Sequence, residues 1–171
     1  MDELTRTGTL ERLAARWDAR RRGKIIQRLL EIAFHHAGYR LVDERLVEGT
    51  DFDVVSRARP AERYSFEVRT TNRFTVPVKS EDLRLLDERA ADGFATGLAA
   101  LRIGAGGRWV LIERRWLALP SIRVTVGTTP GWEPLASAIN EAFDLVLGRL
   151  GPRALEQGLD GLAGEVKEAM R

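Results

Sequence analysis

Glu48-Gly49-Thr50-Asp51-Phe52-Asp53-Val54-Val55 and Tyr64-Ser65-Phe66-Glu67-Val68-Arg69-Thr70 are the two stretches on which the reading of this chain turns. The first is the loop signal Glu48-Gly49-Thr50-Asp51 leading into a strand-like run from Phe52, and the second is strand-like. Each strand sets a carboxylate among apolar neighbours, at Asp53 and at Glu67. A carboxylate in that setting is costly unless it is hydrogen-bonded, paired or bound to a metal. Two of them on adjacent strands, joined by the loop signal Ala58-Arg59-Pro60-Ala61, can share one divalent cation. Mg²⁺ suits such a place, because it takes one or two carboxylates and fills the rest with water and phosphate oxygen. The plainer alternative is a pair of surface residues on half-buried strands.

Upstream, Leu10, Leu13, Ala14 and Trp17 share one helix face, with Thr7 or Thr9 available as a cap. The run Arg20-Arg21-Arg22-Gly23 is expected to interrupt it. A second helix is predicted over residues 24–37 on the stripe Ile25, Ile26, Leu29, Leu30, Ala33 and Phe34, closed by Gly38. Strands are predicted over 39–46, 52–57 and 63–70, a helix over 80–91, and strands over 97–103 and 108–114. Gly104-Ala105-Gly106-Gly107 reads as the turn of a hairpin. The order helix, three strands, helix, two strands describes an α/β domain with helices packed on a mixed sheet.

Beyond Leu119 the residues Ile122, Val124 and Val126 alternate as in one more strand. An amphipathic helix is predicted over 135–150, broken by Gly151-Pro152, and a last one over 155–170. This divides the chain into a basic N-terminal segment (1–22), a core (23–128) and a helical extension (129–171) that packs on the core or forms a subunit interface.

Composition narrows the field. The 171 residues carry 27 Lys and Arg against 25 Asp and Glu, so no overall positive field announces a nucleic-acid partner. All but three of the basic residues are arginine, the side chain suited to bidentate phosphate contacts and to ion-pair networks. A GC-rich genome would give the same bias. Cysteine is absent, which excludes disulfides and thiolate metal sites. The N-terminus lacks the layout of a signal peptide and no eighteen-residue apolar run exists, so a cytoplasmic protein without a membrane span is expected. His35-His36 are adjacent on a helix and point apart, which favours a structural or surface role. The glycine-rich turn at 104–107 lacks the Lys-Ser/Thr of a phosphate-binding loop.

The order Arg22-Gly23, then Thr50-Asp51-Phe52-Asp53-Val54-Val55, then Glu67-Val68-Arg69, then Val76-Pro77-Val78-Lys79 leading into a helix, resembles the archaeal Holliday junction resolvases of the PD-(D/E)XK nuclease superfamily. The resemblance covers roughly residues 20–116. It implies a restriction-endonuclease-like αβββαβ core, a two-fold homodimer close to the nucleoid, and four-way or otherwise branched DNA as partner. In that family acidic residues hold the metal, and a lysine orients or activates the attacking water. The resemblance therefore implies Mg²⁺ or Mn²⁺ held by Asp53, Glu67 and the Val68 carbonyl, with Arg20, Arg21, Arg22, Lys24 and Arg73 along the DNA path.

Three positions depart from the family pattern. The helix Glu is Gln27, the motif lysine is Arg69, and the proline before the aspartate is Phe52. Gln27 carries no charge, and an arginine with a pKa above ~12 cannot act as a base, although it can clamp a phosphate. Glu31, one turn after Gln27, and Lys79 are the candidates to replace what is missing. The sequence therefore leaves two readings open: a metal-dependent endonuclease, or an inactive paralogue that binds branched DNA or a protein partner through the same scaffold.

Overall fold

The computed structural model describes residues 1–42, 50–104, 106–124 and 127–171. Five strands form one mixed sheet in the order β1 (Tyr39–Leu41), β2 (Phe52–Ser56), β3 (Arg63–Thr71), β5 (Ala95–Arg102), β6 (Trp109–Glu113). Neighbouring strands run antiparallel except β3 and β5, which are parallel. The crossover between those two is α3 (Ser80–Ala91), as a parallel connection requires. The chain is thus an α/β protein whose mixed sheet is flanked by helices, as expected.

Two apolar clusters lie on opposite faces of the sheet. On one face α1 (Glu3–Arg16), α2 (Ala19–His36) and α4 (Glu133–Gln157) pack Leu10, Ile26, Phe34 and Phe143 against Phe52, Phe66, Ala99 and Leu101. On the other, Leu86 of α3 meets Leu98, Ala100 and Ile112. The central strand β5 is therefore buried on both sides, which is why it reads as a continuous apolar run rather than an alternation. Gly97 in this strand has no room for a side chain, since a Cβ there would lie 2.4 Å from the Ile112 carbonyl oxygen and 2.9 Å from the Trp132 ring. Trp132 uses that space to stand edge-on to Phe66 and Tyr64.

Several boundaries differ from the sequence expectation, each for a local reason. Helix α1 starts at Glu3 rather than near Thr7 or Thr9, because Asp2 caps it by accepting the Thr5 N–H at 2.8 Å. The arginine run is not a break. Asp18 caps α2 by accepting the Arg21 N–H, and the helix takes in Arg20, Arg21, Arg22 and Gly23. A glycine there costs about 1 kcal/mol, which the buried stripe that follows outweighs. Gly151-Pro152 likewise fails to end α4, whose buried residues continue through Leu150, Gly151 and Ala154.

The segment after Leu119 gives β7 (Ser121–Arg123), which pairs with the short β4 (Thr75–Pro77) in a separate two-stranded sheet. The C-terminal segment is a 3₁₀ turn over Asp160–Leu162 followed by α5 (Ala163–Ala169). Of the strand predicted over 39–46, residues 43–46 lie outside the described residues, as do Ala105 in the expected hairpin turn and residues 125–126. No helix among the described residues is long and apolar enough to cross a membrane.

Candidate functional site

Register places the functional side chains. The rung Phe52–Phe66 sets Asp53 opposite Ser65, and one step further sets Asp51 opposite Glu67. Glu67 and Arg69 are level with Leu98 and Ala100 on β5, so they belong to the sheet face covered by α3. The carboxylate beside Glu67 is therefore that of Asp51, at the entry to β2, and not that of Asp53.

Asp53 is occupied elsewhere. Thr50 Oγ1 donates to it at 3.0 Å, and Arg89 of α3 forms a close ion pair with its other oxygen. The same Arg89 reaches Asp92 at 3.0 Å. Asp53 thus clips α3 to the sheet.

The centre of the site is Arg69. Its Nη1 donates to Glu67 Oε2 at 3.1 Å, to the Val68 carbonyl oxygen at 2.9 Å and to Asp51 Oδ2 at 3.4 Å. Its Nη2 pairs with Asp82 Oδ1, in the first turn of α3, at 2.8 Å. Asp51 Oδ2 also accepts the Val68 N–H at 2.8 Å, and Lys24 Nζ stands 3.8 Å from Asp51 Oδ1. One guanidinium thus joins three carboxylates and a carbonyl.

The electrostatics follow from that arrangement. Burial pushes the Glu67 carboxyl up to about 8, and the charges of Asp51 and Asp82 add to the rise against the opposing pull of Arg69. For Arg69 burial works against the charged form, but Glu67, Asp82 and Asp51 together outweigh it and hold the guanidinium above its usual pKa. Near neutral pH Glu67 retains a proton for much of the time, while Arg69 stays charged.

The residue types would suit a divalent cation, but their arrangement does not. Two carboxylates and the Val68 carbonyl converge, yet the nitrogen on which they converge belongs to Arg69. Among the described residues no group of three or more His, Cys, Asp or Glu is disposed to hold a metal ion.

The remaining candidates are spread around this centre. Gln27 is buried and fully engaged: it accepts from Lys24 Nζ at 3.1 Å and donates to Glu31 Oε1 at 2.9 Å and to the Asp51 carbonyl at 3.1 Å. It ties α2 to the start of β2 rather than facing open solvent. Glu31 is wholly buried and pairs closely with Arg28. Lys79 stands at the N-cap of α3, where its backbone N–H donates to Asp82 Oδ2 at 3.0 Å while its ammonium group is exposed.

Of the arginine run, only Arg20 borders the site. It lines a cavity of about 220 Å³ together with Lys24, Gln27, Asp51, Arg69 and Thr70. Arg21 turns back over the Trp17 ring at 4.4 Å, and Arg22 Nη1 donates to the Ala14 carbonyl at 3.3 Å. Arg73 lies past the end of β3 and is exposed. His35 and His36 contact Arg57 and Arg149 at the surface, away from this cavity.

Sequence reasoning passed over Asp51 and Asp82. Asp51 could have been found by aligning Phe52 with Phe66 as a cross-strand aromatic pair, since the flanking acids then fall into register. Asp82 carries the ordinary signal of an acid in a helix's first turn, and nothing in that signal points to Arg69. No family model, curated protein or solved structure matches the chain.

Proposed function

We propose that this chain is a restriction-endonuclease-like DNA-binding protein, resembling the archaeal junction resolvases, that recognises branched DNA without cutting it. The observation that carries the reading is the placement of the Arg69 guanidinium between Asp51, Glu67 and the Val68 carbonyl. A fixed organic cation there balances the acidic cluster as a metal would, but it supplies no activated water and cannot serve as a base. The scaffold keeps its shape and loses its chemistry.

Recognition would fall to the cations at the mouth of the cavity. Arg20 and Lys24, on the first turns of α2, stand beside the exposed edge of Arg69 and are spaced to meet successive phosphates. Thr70 adds a hydroxyl to the same rim. By the same resemblance the protein works as a two-fold dimer in the cytoplasm, near the nucleoid.

One assay tests this reading. A labelled four-way junction is titrated with protein in Mg²⁺ or Mn²⁺ while intact and cleaved strands are followed. The expected result is binding that weakens steeply with salt, with no cleavage, and a loss of about ten-fold or more in Arg20→Ala/Lys24→Ala. Cleavage by the wild-type chain that Asp51→Ala abolishes would establish the endonuclease reading instead.

A further inference from the structure

Strand β3 runs on past the site into Asn72-Arg73-Phe74, where the chain turns into β4. Phe74 is 61% exposed, which is unusual for a phenylalanine in a chain that buries Phe34, Phe52, Phe66 and Phe143 almost completely. It is not a loose side chain. The guanidinium of Arg102, which is level with Thr71 in the sheet, lies 3.9 Å from its ring centroid and covers one face. Its backbone is fixed by the Val124 N–H, which donates to the Phe74 carbonyl at 2.9 Å. Arg123 is the register partner of Thr75, so it flanks the ring from the neighbouring strand.

The charge around this ring is one-sided. Residues 70–80, β5 (Ala95–Arg102) and β7 (Ser121–Arg123), the segments that meet here, contain no Asp or Glu. Elsewhere several arginines are tied to carboxylates, as in Arg6–Asp144, Arg59–Glu62, Arg84–Glu81 and Arg114–Asp87. Among the described residues Arg73, Arg102 and Arg123 make no ion pair, and the buried Nε of Arg102 has no hydrogen-bond partner. An exposed ring held rigid by a stacked guanidinium, amid unpaired arginines, has the chemistry of a stacking platform for a nucleic-acid base. Every base has a π face to lay on the open side of the ring, and Arg73 and Arg123 are placed for the flanking phosphates.

We infer that Phe74, Arg73, Arg102 and Arg123 form a docking surface for an unpaired nucleotide of DNA, reached from the Arg69 cavity along β3. This rests on the reading of the chain as a DNA-binding protein and extends it. DNA with single-stranded character beside its branch is then preferred over a plain duplex.

The test compares a blunt duplex with the same duplex bearing a short oligothymidylate tail, measured by fluorescence anisotropy at low salt. The wild type is expected to bind the tailed form more tightly. Phe74→Ala, a change at an exposed position, is expected to lose about ten-fold on the tailed form and nothing on the blunt one. Phe74→Trp keeps the affinity, and its added emission is quenched when the tail binds. Equal affinities of wild type and Phe74→Ala for the tailed form, with blunt-duplex binding intact, would overturn this inference and leave the proposed function standing. Tight binding of an oligouridylate tail with none of the thymidylate form would replace DNA by RNA and overturn it too. Failure to bind either tailed form would overturn this inference, and the four-way-junction titration then decides the proposed function separately.

Discussion

Arg69 Nη1 and Glu67 Oε2 lie 3.1 Å apart, two residues from each other on one strand and on one face of it. Side chains at that spacing stand side by side above a sheet, so the pair forms within β3 itself. Asp51 and Asp82 then arrive from the entry to β2 and from α3, and the guanidinium takes all three carboxylates. Strand, hairpin partner and helix are fastened at one point.

Removing that cation leaves three carboxylates facing one another in a half-closed place. Arg69→Met is expected to destabilise the fold by about 3–5 kcal/mol, the cost of breaking a buried pair from one side. Arg69→Lys, which keeps a charge but loses the fork, is expected to cost less, about 1–2 kcal/mol. Urea unfolding of the two variants beside the wild type measures both.

Stability should depend on pH through Glu67. Its folded pKa is about 8 and its ordinary value 4.5, so the folded state holds the extra proton between those limits. The stabilisation is fully present below about pH 4.5 and is lost as pH rises through about 8. The slope in that window is at most about 1.4 kcal/mol per pH unit. In Glu67→Gln this contribution is absent, so unfolding free energies from pH 5 to 8 should run flatter than those of the wild type. A steeper decline in the variant would contradict the assignment.

Asp51 and Asp53, two residues apart, are expected to fail in different ways. Asp53→Asn loosens the Arg89 clip on α3 and lowers stability by about 1–2 kcal/mol, with DNA affinity unchanged. Asp51→Asn removes a negative charge from the cavity and releases Lys24, so affinity for DNA rises by about two- to five-fold. Parallel binding and denaturation curves separate the two.

Where α1 crosses α4, a Cβ on Gly151 would lie 2.9 Å from Thr9 Cγ2. Gly151→Ala is therefore expected to cost about 1–3 kcal/mol through overpacking. Thr9→Ser removes the clashing methyl and keeps a hydroxyl for the Thr5 carbonyl, which Thr9 Oγ1 meets at 2.9 Å. The double variant should recover most of the loss in thermal unfolding.

The legible part of this protein was its periodicity. The apolar stripe of α2, the strands around Phe52 and Phe66, and the doubly buried β5 all announce themselves, because burial dictates residue type at each of their positions. Helix ends were less legible. Asp2 and Asp18 as caps outweighed the threonines and the arginine run, and the packing of Leu150 and Ala154 carried α4 through Pro152.

The site was half legible. Glu67 was visible because a carboxylate on a buried strand demands a partner, and Arg69 because it falls where the resemblance sets a lysine. Which aspartate supplies it depends on hairpin register, and a shift of two residues exchanges Asp51 for Asp53. The contribution of Asp82 depends on the tertiary docking of α3, which no local pattern encodes.

The central claim is that a guanidinium stands where a divalent cation would bind. It is tested most directly by titrating the wild-type chain and Arg69→Ala with Mn²⁺ in a calorimeter. The account predicts no binding by the wild type and one site in Arg69→Ala that Asp51→Asn removes. Stoichiometric Mn²⁺ binding by the wild type, lost in Glu67→Gln, would contradict it and return the chain to the metal-dependent nucleases.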